Sequence, residues 1–389
     1  MSSFSDIRPY NDEEVRPVLD NLLRDKELLS LLADLQLGRW CYLIPKILSR
    51  ALVRRYLKKL LKTVQDVRGF QTVVEGYMDR MIDDKTSHFT VTGLDQLETD
   101  KAFLFMSNHR DIALDPAFTN YALYHNDRDT ARNAIGDNLL AKPFVSDLMR
   151  LNKSFIVNRS ARGPRQILAA YRNLSAYIRH SITEDGASIW LAQREGRAKD
   201  GVDKTEPAII KMLSMGRDKE TESFERYFQA LNLVPVAISY EWDPCDGVKA
   251  AELYQREHQG PYEKSEHEDI VSIGLGISGQ KGHVHVSFGT PLGKNLGSPE
   301  KTALEIDRQI VENYYLHPTN YFAYYQLYQC WPDPTQLGET EAFVPEQYSD
   351  LATEFRTRIS AMPKDHQQYA LAIYANAIVS KLNLLEQSQ

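Results

Sequence analysis

Between residues 86 and 288, short apolar runs alternate with longer amphipathic stretches, and this constrains the fold more than any other feature of the chain. The runs are Ala102-Phe103-Leu104-Phe105-Met106, Ser154-Phe155-Ile156-Val157, Ser188-Ile189-Trp190-Leu191-Ala192 and Leu233-Val234-Pro235-Val236-Ala237-Ile238. Between them lie stretches of helical period, such as 165–180 and 222–231. Runs this short and this apolar read as strands buried on both faces, with the helices as crossovers. The expected fold class is α/β: a mixed, largely parallel sheet flanked by helices. Later, Val271 to Ile277 alternates large with small residues, a turn bounded by Gly279 and Gly282 follows, and His283 to Phe288 alternates again. That pair predicts a hairpin.

The flanks read as helical. Residues 1–85 form an N-terminal region, 86–298 the α/β domain, and 299–389 a tyrosine-rich C-terminal region broken at Pro332, Pro334, Pro345 and Pro363. No acid occurs between Asp34 and Asp66, while Arg39, Lys46, Arg50, Arg54, Arg55, Lys58, Lys59 and Lys62 all do. Trp40, Ile47, Leu48 and Leu52 are interleaved with these cations. A basic amphipathic segment over 37–64 suits an anionic membrane surface. It equally suits a helix packed on its own core with a solvated basic face.

Charge and cysteine usage narrow the partners. A net charge of −7 argues against bulk binding of nucleic acid. Three scattered cysteines, Cys41, Cys245 and Cys330, have neither disulfide parity nor zinc spacing. No secretory h-region opens the sequence, and no apolar run reaches the roughly 18 residues of a membrane span. The expectation is a cytoplasmic protein, peripheral on the cytoplasmic face of a membrane if it meets one.

Four blocks carry the chemistry. Ser107-Asn108-His109-Arg110-Asp111-Ile112-Ala113-Leu114-Asp115-Pro116 places a histidine just past a buried run, where ligands bind in open α/β sheets. A neutral imidazole there can take a proton from a hydroxyl, with Asp111 or Asp115 orienting the ring. A lone histidine in such a place is also a common helix cap or core residue, and the other blocks weigh against that. Arg159, followed by Arg162, Gly163, Pro164 and Arg165, sits where a helix opens, a natural phosphate site. Glu195-Gly196-Arg197, with Lys199, sets an acid and two cations at another strand end. Leu233 to Ile238 supplies a hydrophobic strand exit. His283 and His285 share a strand face but lack further ligands, which favours a structural role over a metal site. No Walker loop, nucleophile elbow or His-Glu-x-x-His is present.

In order and spacing, the blocks resemble the glycerolipid acyltransferase superfamily, with its His-x4-Asp, Phe-Ile-x-Arg, Glu-Gly-x-Arg and Val-Pro-Val/Ile motifs. Gly136-Asp137-Asn138-Leu139 and Ser154 to Ser160 look most like the glycerol-3-phosphate acyltransferase branch. The resemblance covers roughly residues 88 to 292. It departs in two places: five residues, not four, separate His109 from Asp115, and the acidic block is one residue shorter than Glu-Gly-Gly-Arg.

The resemblance implies that His109, oriented by Asp115 or by Asp111 in its stead, activates an acceptor hydroxyl against an acyl thioester. The donor would be acyl-CoA or acyl carrier protein, with no resident cofactor and no metal. Arg159, Arg197 and Lys199 would bind the phosphate of glycerol-3-phosphate or 1-acylglycerol-3-phosphate, and Glu195, beside Gly196, its hydroxyls. Val234-Pro235-Val236 would line the acyl or thioester channel. Two other readings remain: a catalytically silent lipid-binding scaffold, and a thioesterase or lysolipid hydrolase.

Overall fold

The structure, a computed structural model, describes residues 4–37, 45–140, 142–263, 265, 268–293 and 296–386, with the backbone alone at 35–37. Arg39, Trp40, Leu43 and Ile44 of the basic segment lie outside the described residues. In chain order, helices α1 (Asp12–Leu22), α2 (Lys26–Leu37), α3 (Lys46–Leu60) and α4 (Val67–Lys85) precede strand β1 (Thr86–Thr92). Strand β2 (Leu104–Ser107), α5 (Leu114–Tyr124), β3 (Arg132–Gly136) and α6 (Pro143–Leu151) come next. They lead to β4 (Ser154–Val157), α7 (Pro164–Thr183) and β5 (Ile189–Ala192). Helices α8 (Pro207–Leu213) and α9 (Phe224–Ala230) reach β6 (Leu233–Tyr240). Helices α10 (Asp246–His258) and α11 (Glu268–Ser278) precede β7 (Gly282–Phe288). The chain ends in α12 (Pro299–Asn313), α13 (Pro318–Tyr328), α14 (Ser349–Ser360) and α15 (Lys364–Glu386).

Two compact units share these elements: residues 1–80 with 131–177, and residues 81–130 with 178–389. The sequence reading cut the chain into three consecutive regions. Contacts group it differently because each unit is assembled from segments distant in sequence, which no local pattern announces.

In the first unit β3 and β4 pair in parallel, from Asn133 opposite Ser154 to Gly136 opposite Val157. Val15, Leu19 and Leu22 of α1 share a core with Phe144 and Leu151 around α6. Helix α3 seats Val53 on Leu29 and Ala33 of α2. Its other side leaves Ile47 (82% exposed), Leu48, Leu52 and Tyr56 in solvent beside the exposed Arg54, Arg55, Lys58 and Lys59.

The second unit holds five strands in the order β1-β7-β6-β2-β5. Strands β1 and β7, β6 and β2, and β2 and β5 are parallel; only β6 and β7 are antiparallel. This is the mixed, largely parallel sheet flanked by helices that the alternating runs required. Every residue of β6 is buried, because a central strand has apolar neighbours on both faces. The C-terminal helices carry their own core, in which Phe322, Phe355, Ile359 and Tyr374 pack with Trp242 and Ala250.

The hairpin is overturned in its first half. Residues 268–278 are the helix α11, and β7 pairs with β1 and β6. The period-two alternation misled because this helix buries Glu268, Ser272 and Gly276, spaced by four, and leaves its large apolar residues outside.

Helix α12 supplies a pH-dependent tie. Asp307 Oδ1 accepts from the Thr205 backbone N–H at 2.7 Å. Burial pushes its carboxyl up to about 6, against the hydrogen bonds from Thr205, with Asp203 adding to the rise. A carboxyl raised above its unfolded value stabilises the fold when protonated and loses that contribution as pH rises from about 4 through 6. The loss is at most about 3 kcal/mol, less wherever solvent reaches the side chain. Asp307→Asn keeps an acceptor for Thr205. Urea unfolding should find the variant more stable than wild type at pH 7, with the difference vanishing near pH 4.

Candidate active site

The chain leaves β2 through a fixed exit. Ser107 lies opposite Ala192 of β5 and Val236 of β6, so all three parallel strands end on the same side. Asn108 then imitates a strand residue with its side chain. Its Nδ2 donates to the Ile238 carbonyl at 3.0 Å, and its Oδ1 accepts from the Ile238 N–H at 2.8 Å. His109 follows, half-buried, its ring edge-on to Trp190 at 6.0 Å between centroids.

Asp115, on the first turn of α5, is the aspartate that meets the histidine. Its Oδ2 lies 2.8 Å from His109 Nδ1 and accepts from the backbone N–H of Arg110 at 2.7 Å and of Asp111 at 2.9 Å. Its Oδ1 accepts from Tyr240 Oη at 2.7 Å. With a carboxylate so placed, Nδ1 carries the ring proton and Nε2 holds the basic lone pair. Among the described residues none bonds Nε2.

Asp111 has another task. Its Oδ1 accepts from the N–H of Ala113 at 2.9 Å and of Leu114 at 2.8 Å, closing the turn into α5. Burial, and then the charge of Asp115, push its carboxyl above the usual range. The extra residue between His109 and Asp115 is absorbed in this turn.

Around the dyad the backbone is clamped. The Arg110 guanidinium, buried, donates to Asp203 Oδ2 at 2.7 Å and to the Gly201 carbonyl at 3.0 Å. Lys249 Nζ donates to the Arg110 carbonyl at 2.7 Å and also bonds Asp243. The His109 carbonyl accepts from the Ala198 N–H at 2.8 Å, which ties the acidic block to the histidine block.

Within that block, Gly196 turns the chain at φ 75°. The turn separates an exposed Glu195 from a buried Arg197. Arg197 is 8% exposed; its Nη2 donates to Ser272 Oγ at 3.2 Å, while its buried Nη1 has no partner among the described residues. Lys199, expected at a phosphate, is ion-paired with Glu252, a carboxylate that is itself buried and already joined by Arg256 at 2.7 Å. A buried carboxylate needs its cation, and Lys199 supplies one.

Arg159 belongs to the other compact unit. There it is exposed; its N–H and that of Ser160 each donate to Asp137 at 3.1 Å. Gly136 leaves room for its side chain, since a Cβ there would stand 2.9 Å from Arg159 Nε. His283 and His285 are engaged at the sheet edge: Thr90 Oγ1 lies 2.6 Å from His283 Nε2 and 2.7 Å from His285 Nδ1. Thr92 Oγ1 lies 3.0 Å from His285 Nε2.

Residues 88–201 match the family model described as Acyltransferase. The chain carries an acyltransferase domain. Three of the four sequence blocks, those around His109, Arg159 and Glu195, lie within these residues. Among solved structures, the chain is similar to the crystal structure of the 1-acyl-sn-glycerophosphate (LPA) acyltransferase, PlsC, from Thermotoga maritima. The two are 15% identical, with a TM-score of 0.37, over 74% of this chain and 95% of that one. No curated protein matches the chain.

Motif reading of the acyltransferase did not reach Tyr240, Arg110 or Lys249. The one signal for Tyr240 was strand length. Strand β6 runs four residues past Val236, which pairs with the last residue of β2, so its end overhangs the site. Tyr240→Phe strips a donor from a buried carboxylate, so it should lower stability by about 1–2 kcal/mol in urea unfolding. Its turnover should fall roughly ten-fold, against a hundred-fold or more for Asp115→Asn.

Proposed function

We propose that the enzyme moves a fatty acyl group from a thioester donor to a hydroxyl of glycerol-3-phosphate or 1-acylglycerol-3-phosphate. The reading rests above all on the His109–Asp115 pair, which leaves Nε2 to act as a base, and then on the buried Arg197, whose Nη1 has no partner among the described residues. His109 Nε2 takes the proton of the acceptor hydroxyl as its oxygen attacks the thioester carbonyl carbon. Collapse of the tetrahedral intermediate breaks the C–S bond, and the proton on His109 passes to the departing thiolate. Asp115 stabilises the imidazolium that exists between the two transfers. Acyl-CoA or acyl carrier protein serves as donor, and the step needs no resident cofactor or metal.

Arg197 binds the acceptor phosphate and Glu195 its hydroxyls. A guanidinium with an unpartnered buried N–H fits a phosphate oxygen. Asp111 acts on the turn rather than on the ring. Lys199 acts on Glu252.

The enzyme works on the cytoplasmic face of an anionic membrane. No helix among the described residues is long and apolar enough to cross one. Helix α3 offers exposed apolar residues beside four exposed cations, the pattern of a segment lying in a headgroup layer.

The test is thiol release from palmitoyl-CoA or palmitoyl-acyl carrier protein with glycerol-3-phosphate, with lysophosphatidate and with neither. Release should require an acceptor and fall at least a hundred-fold in His109→Ala. Arg197→Ala should raise the acceptor KM about ten-fold or more with a smaller effect on kcat. Release without acceptor would instead make the enzyme a thioesterase, and silence with every donor would leave a lipid-binding scaffold.

A further inference from the structure

Helix α11 is built inside out. Glu268, Ser272 and Gly276 face inward, while Ile270 (66% exposed), Val271 (56%), Leu275 and Ile277 (46%) face solvent. Helices ordinarily turn the apolar stripe to the core, and a contiguous apolar face left outside marks a binding surface.

The inner face is fixed to the active site. Ser272 Oγ accepts from Arg197 Nη2 at 3.2 Å. At Gly276 the helix comes so near Asp111 that a Cβ would stand 2.2 Å from its Oδ2. The C-terminal end is held by buried Lys281, whose Nζ donates to the carbonyls of Ile277 at 3.2 Å and Gly279 at 2.8 Å. Val271 and Leu275 border the buried stripe, so an apolar path starts at the edge of the site and continues over Ile270 and Ile277. Eleven residues make it about 16 Å long.

Acyl transfer brings the thioester carbonyl to His109, and the hydrocarbon behind that carbonyl needs an apolar surface. Val234-Pro235-Val236, which the resemblance assigns to that task, lie buried inside the sheet, whereas the outer face of α11 is open. We propose that the outer face of α11 carries the hydrocarbon tail of the donor's fatty acyl group, entering past Val271 and Leu275. The proposal rests on the acyl-transfer reading and names the part of the chain that senses the donor's tail.

The experiment compares kcat/KM for palmitoyl-CoA and hexanoyl-CoA with one phosphate acceptor, in wild type and in the double variant Val271→Ser, Leu275→Ser. Affinity gained per buried methylene makes the loss grow with chain length. The variant should lose about ten-fold with palmitoyl-CoA, through KM, and stay unchanged with hexanoyl-CoA. Leu304→Ser, at a still more exposed apolar residue on α12, should alter neither. Equal loss on both donors, or none, overturns the proposal. So does weakened binding to phosphatidylcholine vesicles with the donor-length dependence intact, which would give the face to a bilayer. A titration with cis-parinaric acid, followed by its fluorescence, reports on α11 without any turnover. Weaker binding in the variant supports the proposal even if no thioester is consumed, and equal binding overturns it.

Discussion

A fully buried carboxylate, Asp115, organises everything around it. An ionised group with no exposure costs several kcal/mol unless its oxygens are met by donors. Here four donors meet it: two backbone N–H groups from the turn after β2, the Tyr240 hydroxyl from the end of β6, and His109. Each donor sits on an element that must be in place before the charge is tolerable. The clamps on Arg110, through Asp203, Gly201 and Lys249, hold the turn that presents those N–H groups. The His109 ring is therefore oriented by the sheet itself, and its tautomer follows from the same contacts.

Sequence reading reached β2, β5 and β6 because burial on both faces leaves a nearly pure apolar run, and β4 because Phe155, Ile156 and Val157 are apolar although half of that strand is only partly buried. It did not reach β1 (Thr86–Thr92) or β3 (Arg132–Gly136), where exposed and half-buried positions mix polar residues into the strand. His109 and Arg197 were legible since chemistry at strand ends has a recognisable composition. The choice between Asp111 and Asp115 was not. Both stand near the histidine in sequence, and only the turn into α5 decides which carboxylate faces Nδ1. Tyr240 and Lys249 were illegible for a related reason. Each reaches the site across more than a hundred residues of chain, and no local pattern encodes such a meeting. Lys199 shows the converse, since its motif context suggested a ligand while a distant buried acid, Glu252, claimed its charge.

Several large apolar residues of α11 are left outside by the fold. A reading that equates apolar runs with core places Leu233–Val236 correctly, inside the sheet. The same equation turns residues 271–277 into a strand, because a helix with its large residues outward has no stripe to read. Small residues at 272 and 276 signal close seating of the backbone, against Arg197 and Asp111. Gly276 is tied to Asp111 by that approach, so Gly276→Ala would press on the turn into α5.

The added residue between His109 and Asp115 is tolerated for an electrostatic reason as much as a steric one. Two carboxylates lie within one turn, and two full charges buried together would repel. Asp111 relieves this by capping Ala113 and Leu114 while burial and its neighbour raise its hold on a proton. Asp115 is met by the N–H groups of Arg110 and Asp111, by the Tyr240 hydroxyl and by His109, and it sits at the N-terminus of α5. One site thus keeps a single carboxylate against the imidazole, delivered to Nδ1 by the turn into α5.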